Sequence, residues 1–159
     1  NSKLDFWQKI YYANTNGIEN SGPIPPKVNE TTLYAVTWEI KNYLNDLKNV
    51  KVKMTLPYNV MLSDSMFPED QASHFSFDTK SREIFWSLGD LAAGASTTLT
   101  FQIALTPSVF EQGKLVNLVG QATMYGEDQF TGATTQSTAP LVNTSLPDDK
   151  DNSGGGVVQ

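Results

Sequence analysis

One histidine, no cysteine and seventeen carboxylates bound the chemistry open to this 159-residue chain. Acid–base or nucleophilic catalysis needs a titratable base beside a reacting group. His74 sits in "ASHFSF", at the start of an expected strand, with no G-x-S-x-G elbow near it, so it reads as a structural or surface residue. A zinc centre built from one histidine and no thiolate lacks its ligands. Without cysteine there is also no disulfide framework and no thiolate chemistry. The glycines at 154–156 follow Ser153 with no strand before them, unlike a phosphate-binding loop.

Two constellations come closer to a chemistry. In "DKDNSG", Asp149, Asp151, Ser153 and Gly154 take the first, third, fifth and sixth places of a calcium loop. Gly156 stands at the eighth place, where an apolar residue belongs, and the segment reads instead as a solvated linker. The second is a spontaneous Lys–Asn isopeptide crosslink. It requires a lysine, an amide and a carboxyl buried together, so that the amine is neutral and can displace ammonia. Lys9, Asn117 and either Glu39 or Glu83 are the candidates. Their spacing does not single them out, so Lys9 is expected to be exposed and unlinked. No metal, cofactor or catalytic residue is expected.

Charge narrows the partners. A formal net charge of −6 opposes a nucleic-acid partner, which needs a basic footprint. Lys41, Lys48, Lys51 and Lys53 form the one basic cluster and read as a solvated strand edge. No apolar run is long enough to span a membrane.

The elements that would position these groups are strands. In "TTLYAVTWEIKN", Tyr34, Val36, Trp38 and Ile40 fall on every second position, a strand with one apolar face. "NVKVKMTLP" alternates as strictly, with Val50, Val52, Met54 and Leu56 inward, until Pro57 stops it. "FSFDTKSREIFWSL" reads as a hairpin, and "STTLTFQIALTP" places Leu99, Phe101, Ile103 and Leu105 inward. Further strands are expected over 6–14, near residue 60, over 114–126 and around 131–142. The prolines of "GPIPPKV" make an extended segment along the side of the domain. Apolar residues at helical spacing do not persist for two turns over 43–50 or over 108–119.

Strands of this kind must pack as two sheets face to face. The predicted fold is all-β, an immunoglobulin-like β-sandwich of about seven to eight strands. Residues 1–145 form one domain with a core of Tyr34, Val36, Trp38, Ile40, Trp86 and Phe101, and Trp38 is its central plug. From 146 to 159, charges and glycines with no apolar partner predict a flexible linker.

"TLYAVTWEIKN", "NVKVKMTLP", "REIFWSLGDLAAGASTTLTFQIALTP" and "NLVGQATMYGED" carry a resemblance over 23–127. The chain resembles the "conserved repeat domain" of bacterial surface proteins, an immunoglobulin-like domain of unknown function that usually occurs in tandem. The likeness lies in core and turn residues: a Tyr-x-Val strand ending at Asn42, an Asn-Val strand ending in Leu-Pro, then a Trp-x-Leu-Gly-x-Leu turn. It implies a non-enzymatic structural or spacer module of a cell-surface or secreted bacterial protein, with neighbouring domains of the same chain as partners. The alternative is an adhesive module. Trp7, Tyr11, Met66 and Phe67 would then contact a protein or glycan ligand.

Overall fold

The computed structural model describes residues 4–43 and 45–159. Residues 1–3 of the expected domain, and position 44, lie outside the described residues. Eleven strands occur among the described residues. They are β1 (Leu4–Tyr11), β2 (Thr32–Asn42), β3 (Leu47–Thr55), β4 (Val60–Phe67), β5 (Phe75–Asp78) and β6 (Glu83–Leu91). There follow β7 (Ser96–Leu105), β8 (Asn117–Val119), β9 (Ala122–Asp128), β10 (Thr134–Ala139) and β11 (Val142–Asn143). One sheet runs β1-β2-β7-β4, the other β10-β9-β3-β6-β5, and β11 pairs with β8 as a small third sheet. All pairings are antiparallel. The result is an immunoglobulin-like β-sandwich.

The positions read as inward on β2, β3 and β7 are buried. Tyr34, Val36, Trp38 and Ile40 are fully buried, as are Val52 and Leu99, with Val50, Met54, Leu56 and Phe101 at 1% exposure. Trp38 stacks on Trp86 across the two sheets at 6.1 Å between centroids and meets Phe101 edge-on at 4.8 Å. Offset stacking and edge contacts are the arrangements that the aromatic quadrupole favours.

The strand count exceeds expectation in part because two expected strands each divide. The 114–126 run breaks at Gly120, whose N–H donates to the Thr55 carbonyl; a Cβ there would lie 2.8 Å from that oxygen. The 131–142 run breaks at Pro140, which cannot donate to a ladder. The irregular stretch after residue 60 is a full strand, β4, followed by a 3-10 turn over Glu69–His74.

The C-terminal segment departs furthest from expectation. Residues 146–159 are docked against the sandwich, where the sequence predicts a free linker. Leu146 and Val158 are each 1% exposed and Asp149 is 3% exposed. Val158 exchanges backbone hydrogen bonds with Gly113 and Lys114, and Gln159 with Pro26 and Val28. Gly156, at φ +95°, brings its chain so close to Thr144 that a Cβ would lie 1.9 Å from the Thr144 carbonyl oxygen. Only glycine fits there without strain. The physical reason for the correction is long-range pairing, which no local composition reveals.

Candidate functional site

Alternation along β1 buries Phe6, Gln8 and Ile10 and turns Trp7, Lys9 and Tyr11 to the outer face of the four-stranded sheet. Register sets Trp7 opposite Glu39 and Lys9 opposite Thr37. Together with Asn16 these side chains line a depression of about 410 Å³. The Lys41 amine lies 5.3 Å over the Trp7 ring, within cation–π range. Burial pushes the Tyr11 hydroxyl above its ordinary pKa, and the carboxylates of Asp148, Asp149 and Glu39 push it further.

A second depression, of about 740 Å³, adjoins the first at Asn16 and extends to β4. Met66, Phe67, Glu19, Asp64 and Glu69 line it. Asn16 and Gly17 form a tight turn with positive φ, +49° and +80°, closed by reciprocal hydrogen bonds between Thr15 and Ile18. The loop carrying this turn lies on the outer face of β7. Asn16 Nδ2 donates to Thr100 Oγ1, and Gln102 Nε2 donates to the Glu19 carbonyl and to Asn20 Oδ1. Thr100 and Gln102 are consequently buried although they face away from the core. Tyr11, Trp7, Met66 and Phe67, proposed from sequence as ligand contacts, thus border two adjoining hollows. Phe67 is 49% exposed, and Met66 packs partly against the core. The loop 13–20 that joins the hollows escaped sequence reasoning; its "TNGI" turn was the available signal.

The crosslink candidates are not assembled. Lys9 and Glu39 share the first hollow, whereas Asn117 is exposed on β8 and lines a separate hollow with Glu111 and Lys114. Glu83 pairs instead with Lys53 at 3.1 Å. His74 is exposed beside Lys51, Ser87 and Glu127.

Asp149, expected in a solvated linker, is buried. Its Oδ2 accepts the backbone N–H groups of Tyr12 at 2.8 Å and Ala13 at 3.0 Å, and the Asn152 amide at 3.1 Å. Burial alone would raise its pKa; the hydrogen bonds from Ala13, Asn152, Tyr12 and Asp151 outweigh that and hold it below the usual carboxylate range. Among the described residues there is no group of three or more His, Cys, Asp or Glu side chains able to hold a metal ion. No helix among them is long and apolar enough to cross a membrane.

The sandwich matches solved bacterial pilin structures. One is BcpA, the major pilin subunit of Bacillus cereus, with a TM-score of 0.57 at 11% identity over 89% of this chain and 39% of that one. Another is the full-length major pilin SpaD from Corynebacterium diphtheriae, with a TM-score of 0.54 at 12% identity over 89% of this chain and 35% of that one. The fold is shared with pilin domains. The chain thus spans well under half the length of either pilin. No protein-family model matches the chain, and no curated protein matches it.

Proposed function

We propose that this chain is a non-enzymatic spacer module of a bacterial cell-surface or secreted protein, holding neighbouring domains of the same chain apart. The observation that carries this reading is where the chain enters and leaves the sandwich. Leu4 pairs with Asn42 at one end of β2, while Gln159 bonds to Pro26 and Val28 beside the other end. The eleven residues of β2 separate those ends by roughly 34 Å at ~3.4 Å per residue. A module of this kind strings onto its neighbours along its long axis. The likeness to pilins and the tandem-repeat resemblance of 23–127 support the same reading. Asn42, the last residue of the Tyr-x-Val strand in that resemblance, is 1% exposed and donates to the carbonyls of Asn45, Leu91 and Ala92. Its role is to hold the turns at one end of the sandwich.

The test is geometric. With a fluorescent protein fused at each end, small-angle scattering should give a narrow, extended interdomain distance set by the sandwich length. A broad or collapsed distribution would remove the spacer reading.

The adjoining hollows favour a second reading, adhesion to a protein or glycan. Aromatic faces at Trp7 and Tyr11, with Asn16, Thr37 and Glu39 between them, offer stacking and hydrogen bonding without a reacting group. Saturable binding to a glycan or peptide array, lost in Trp7→Ala and Tyr11→Ala, would put adhesion ahead of spacing.

A further inference from the structure

We propose that the segment 146–159 is a tension-release strap: under load along the chain it peels off before the sandwich yields, and it re-docks when the load falls. This inference rests on the spacer reading, because only a chain pulled at both ends loads the strap.

Tension entering at the C-terminal side travels along the backbone to the first groups that tie it to the rest of the molecule. Those ties are few. The Gln159 N–H donates to the Pro26 carbonyl at 2.8 Å, and its carbonyl accepts from Val28 at 3.0 Å. The Val158 N–H donates to Lys114 at 2.9 Å, and its carbonyl accepts from Gly113 at 2.8 Å. Val158 is the one buried apolar side chain beyond Leu146 in this segment. Thr144 Oγ1 then donates to the Gly156 carbonyl at 2.6 Å, and Gly154 donates to Ser145 at 3.0 Å. Behind these lies the Asp149 carboxylate on the Tyr12 and Ala13 amides.

Tension entering at the other end meets a much stronger attachment. All eight residues of β1 are in register with β2, from Leu4 opposite Asn42 to Tyr11 opposite Ala35. Three of its side chains, Phe6, Gln8 and Ile10, are buried. The same force therefore reaches a short set of bonds around one valine on one side and a full ladder with a buried face on the other. Local opening starts where buried apolar contacts are fewest. Release of the strap leaves β11, β8 and both large sheets paired, since Thr144 remains tied to Val116 through backbone and side-chain bonds.

The run Ser153-Gly154-Gly155-Gly156 suits repeated release. Glycine is freely jointed once undocked. Gly154 and Gly156 also occupy positive φ, +88° and +95°, in the docked form, so the same residues serve both states. The fourteen residues from 146 to 159 extend to at most about 50 Å. The module would absorb that length while giving up only Leu146 and Val158 from its core.

The experiment is optical-tweezers stretching of the full chain, with handles at its two ends. The expected trace has a small, reversible extension at low force, no longer than fourteen residues allow, followed by one larger unfolding transition. Val158→Asp should abolish the early step and leave the force of the main transition unchanged; Gly156→Ala should do the same by a different route. A wild-type trace with a single transition overturns the proposal. So does a Val158→Asp trace whose main transition moves to lower force, because the segment would then be part of the load-bearing core. The interdomain-distance test of the spacer reading is made at zero force and does not depend on this outcome, so the two can fail separately.

Discussion

The indole N–H of Trp38 donates to Oε1 of Gln8 at 2.9 Å inside the core, and the two residues face each other in register across β1 and β2. Gln8 uses its other end as well. Its Nε2 donates to the carbonyls of Gly120 at 3.0 Å and Pro140 at 3.1 Å, the two points at which the expected late strands break. One buried amide thus satisfies the central tryptophan and the two crossovers beside the small third sheet. A polar group 5% exposed is tolerated because every hydrogen bond it needs is made.

Removing Gln8 should therefore cost more than its size suggests. Gln8→Leu leaves an indole N–H and two carbonyls without this partner, each worth about 1–3 kcal/mol when buried. Urea denaturation should show a loss of at least about 2 kcal/mol. Trp38→Ala should cost about 3–5 kcal/mol through the cavity it leaves. The double variant should fall short of the sum by about 0.5–3 kcal/mol, since both substitutions remove one shared bond. Strict additivity would mean that the Gln8–Trp38 bond contributes nothing.

Tyr34 is the opposite case. Its side chain is fully buried, packs edge-on against Tyr12 at 6.3 Å, and its hydroxyl has no hydrogen-bond partner. Burial, with Tyr12 nearby, pushes its pKa well above the ordinary tyrosine value. Tyr34→Phe removes an unsatisfied buried group without changing the ring, so stability should hold or rise by about 1 kcal/mol. A loss greater than about 1 kcal/mol in the melting or urea curve would show that the hydroxyl has a partner after all.

The sandwich was legible because its strands obey a two-residue period that survives any tertiary context. Tyr34, Val36, Trp38 and Ile40 could face only one way once the opposite face carried Thr37, Glu39 and Lys41. Gln8 was not legible, since a glutamine at an inward position looks like a break in the pattern until its partners are known. Thr100 and Gln102 were hidden for a related reason: they read as the wet face of β7, and the loop 13–20 that buries them lies more than eighty residues away in the chain. The same distance effect concealed the strap, whose Asp149 finds its amides 136 and 137 residues back. The outward placement of Trp7 and Tyr11 follows the alternation of β1, whereas Met66 and Phe67, expected in a loop, lie on β4, and the turn at Asn16 divides the two pairs between two hollows.

The docked strap gives a prediction independent of force. Gly156→Ala places a methyl group where the Thr144 carbonyl sits and demands a positive φ of an L-residue. The segment beyond 154 should come away. Hydrogen exchange at the Val28, Gly113, Val158 and Gln159 amides, all donors in strap contacts, should accelerate by at least about tenfold. The β2 amides around Trp38 should keep their protection. Unchanged protection at Val28 and Gly113 would show that those amides do not depend on the strap.

Acid should loosen the strap before the core, and the sign follows from Asp149. Its carboxyl is held below the usual carboxylate range by the hydrogen bonds it accepts in the docked form. The undocked segment has the ordinary value near 3.9. A depressed native pKa stabilises docking fully above the undocked value and loses that contribution as pH falls below about 3.9 and through the native value. Protonation also places a donor against the Tyr12 and Ala13 amides, which are themselves donors. Asp128 is held low in a similar way, chiefly by Asn45, but it is the last residue of β9, at the other end of the sandwich. Amide exchange compared from about pH 6 to about pH 2, corrected for intrinsic rates, should show Gln159 and Val158 losing protection while Val36 and Trp38 retain theirs. Asp149→Asn keeps an acceptor oxygen but has no charge to lose, so its strap should be less protected at neutral pH and nearly flat across the same range. A strap as acid-sensitive in Asp149→Asn as in the wild type would assign the transition to other carboxylates.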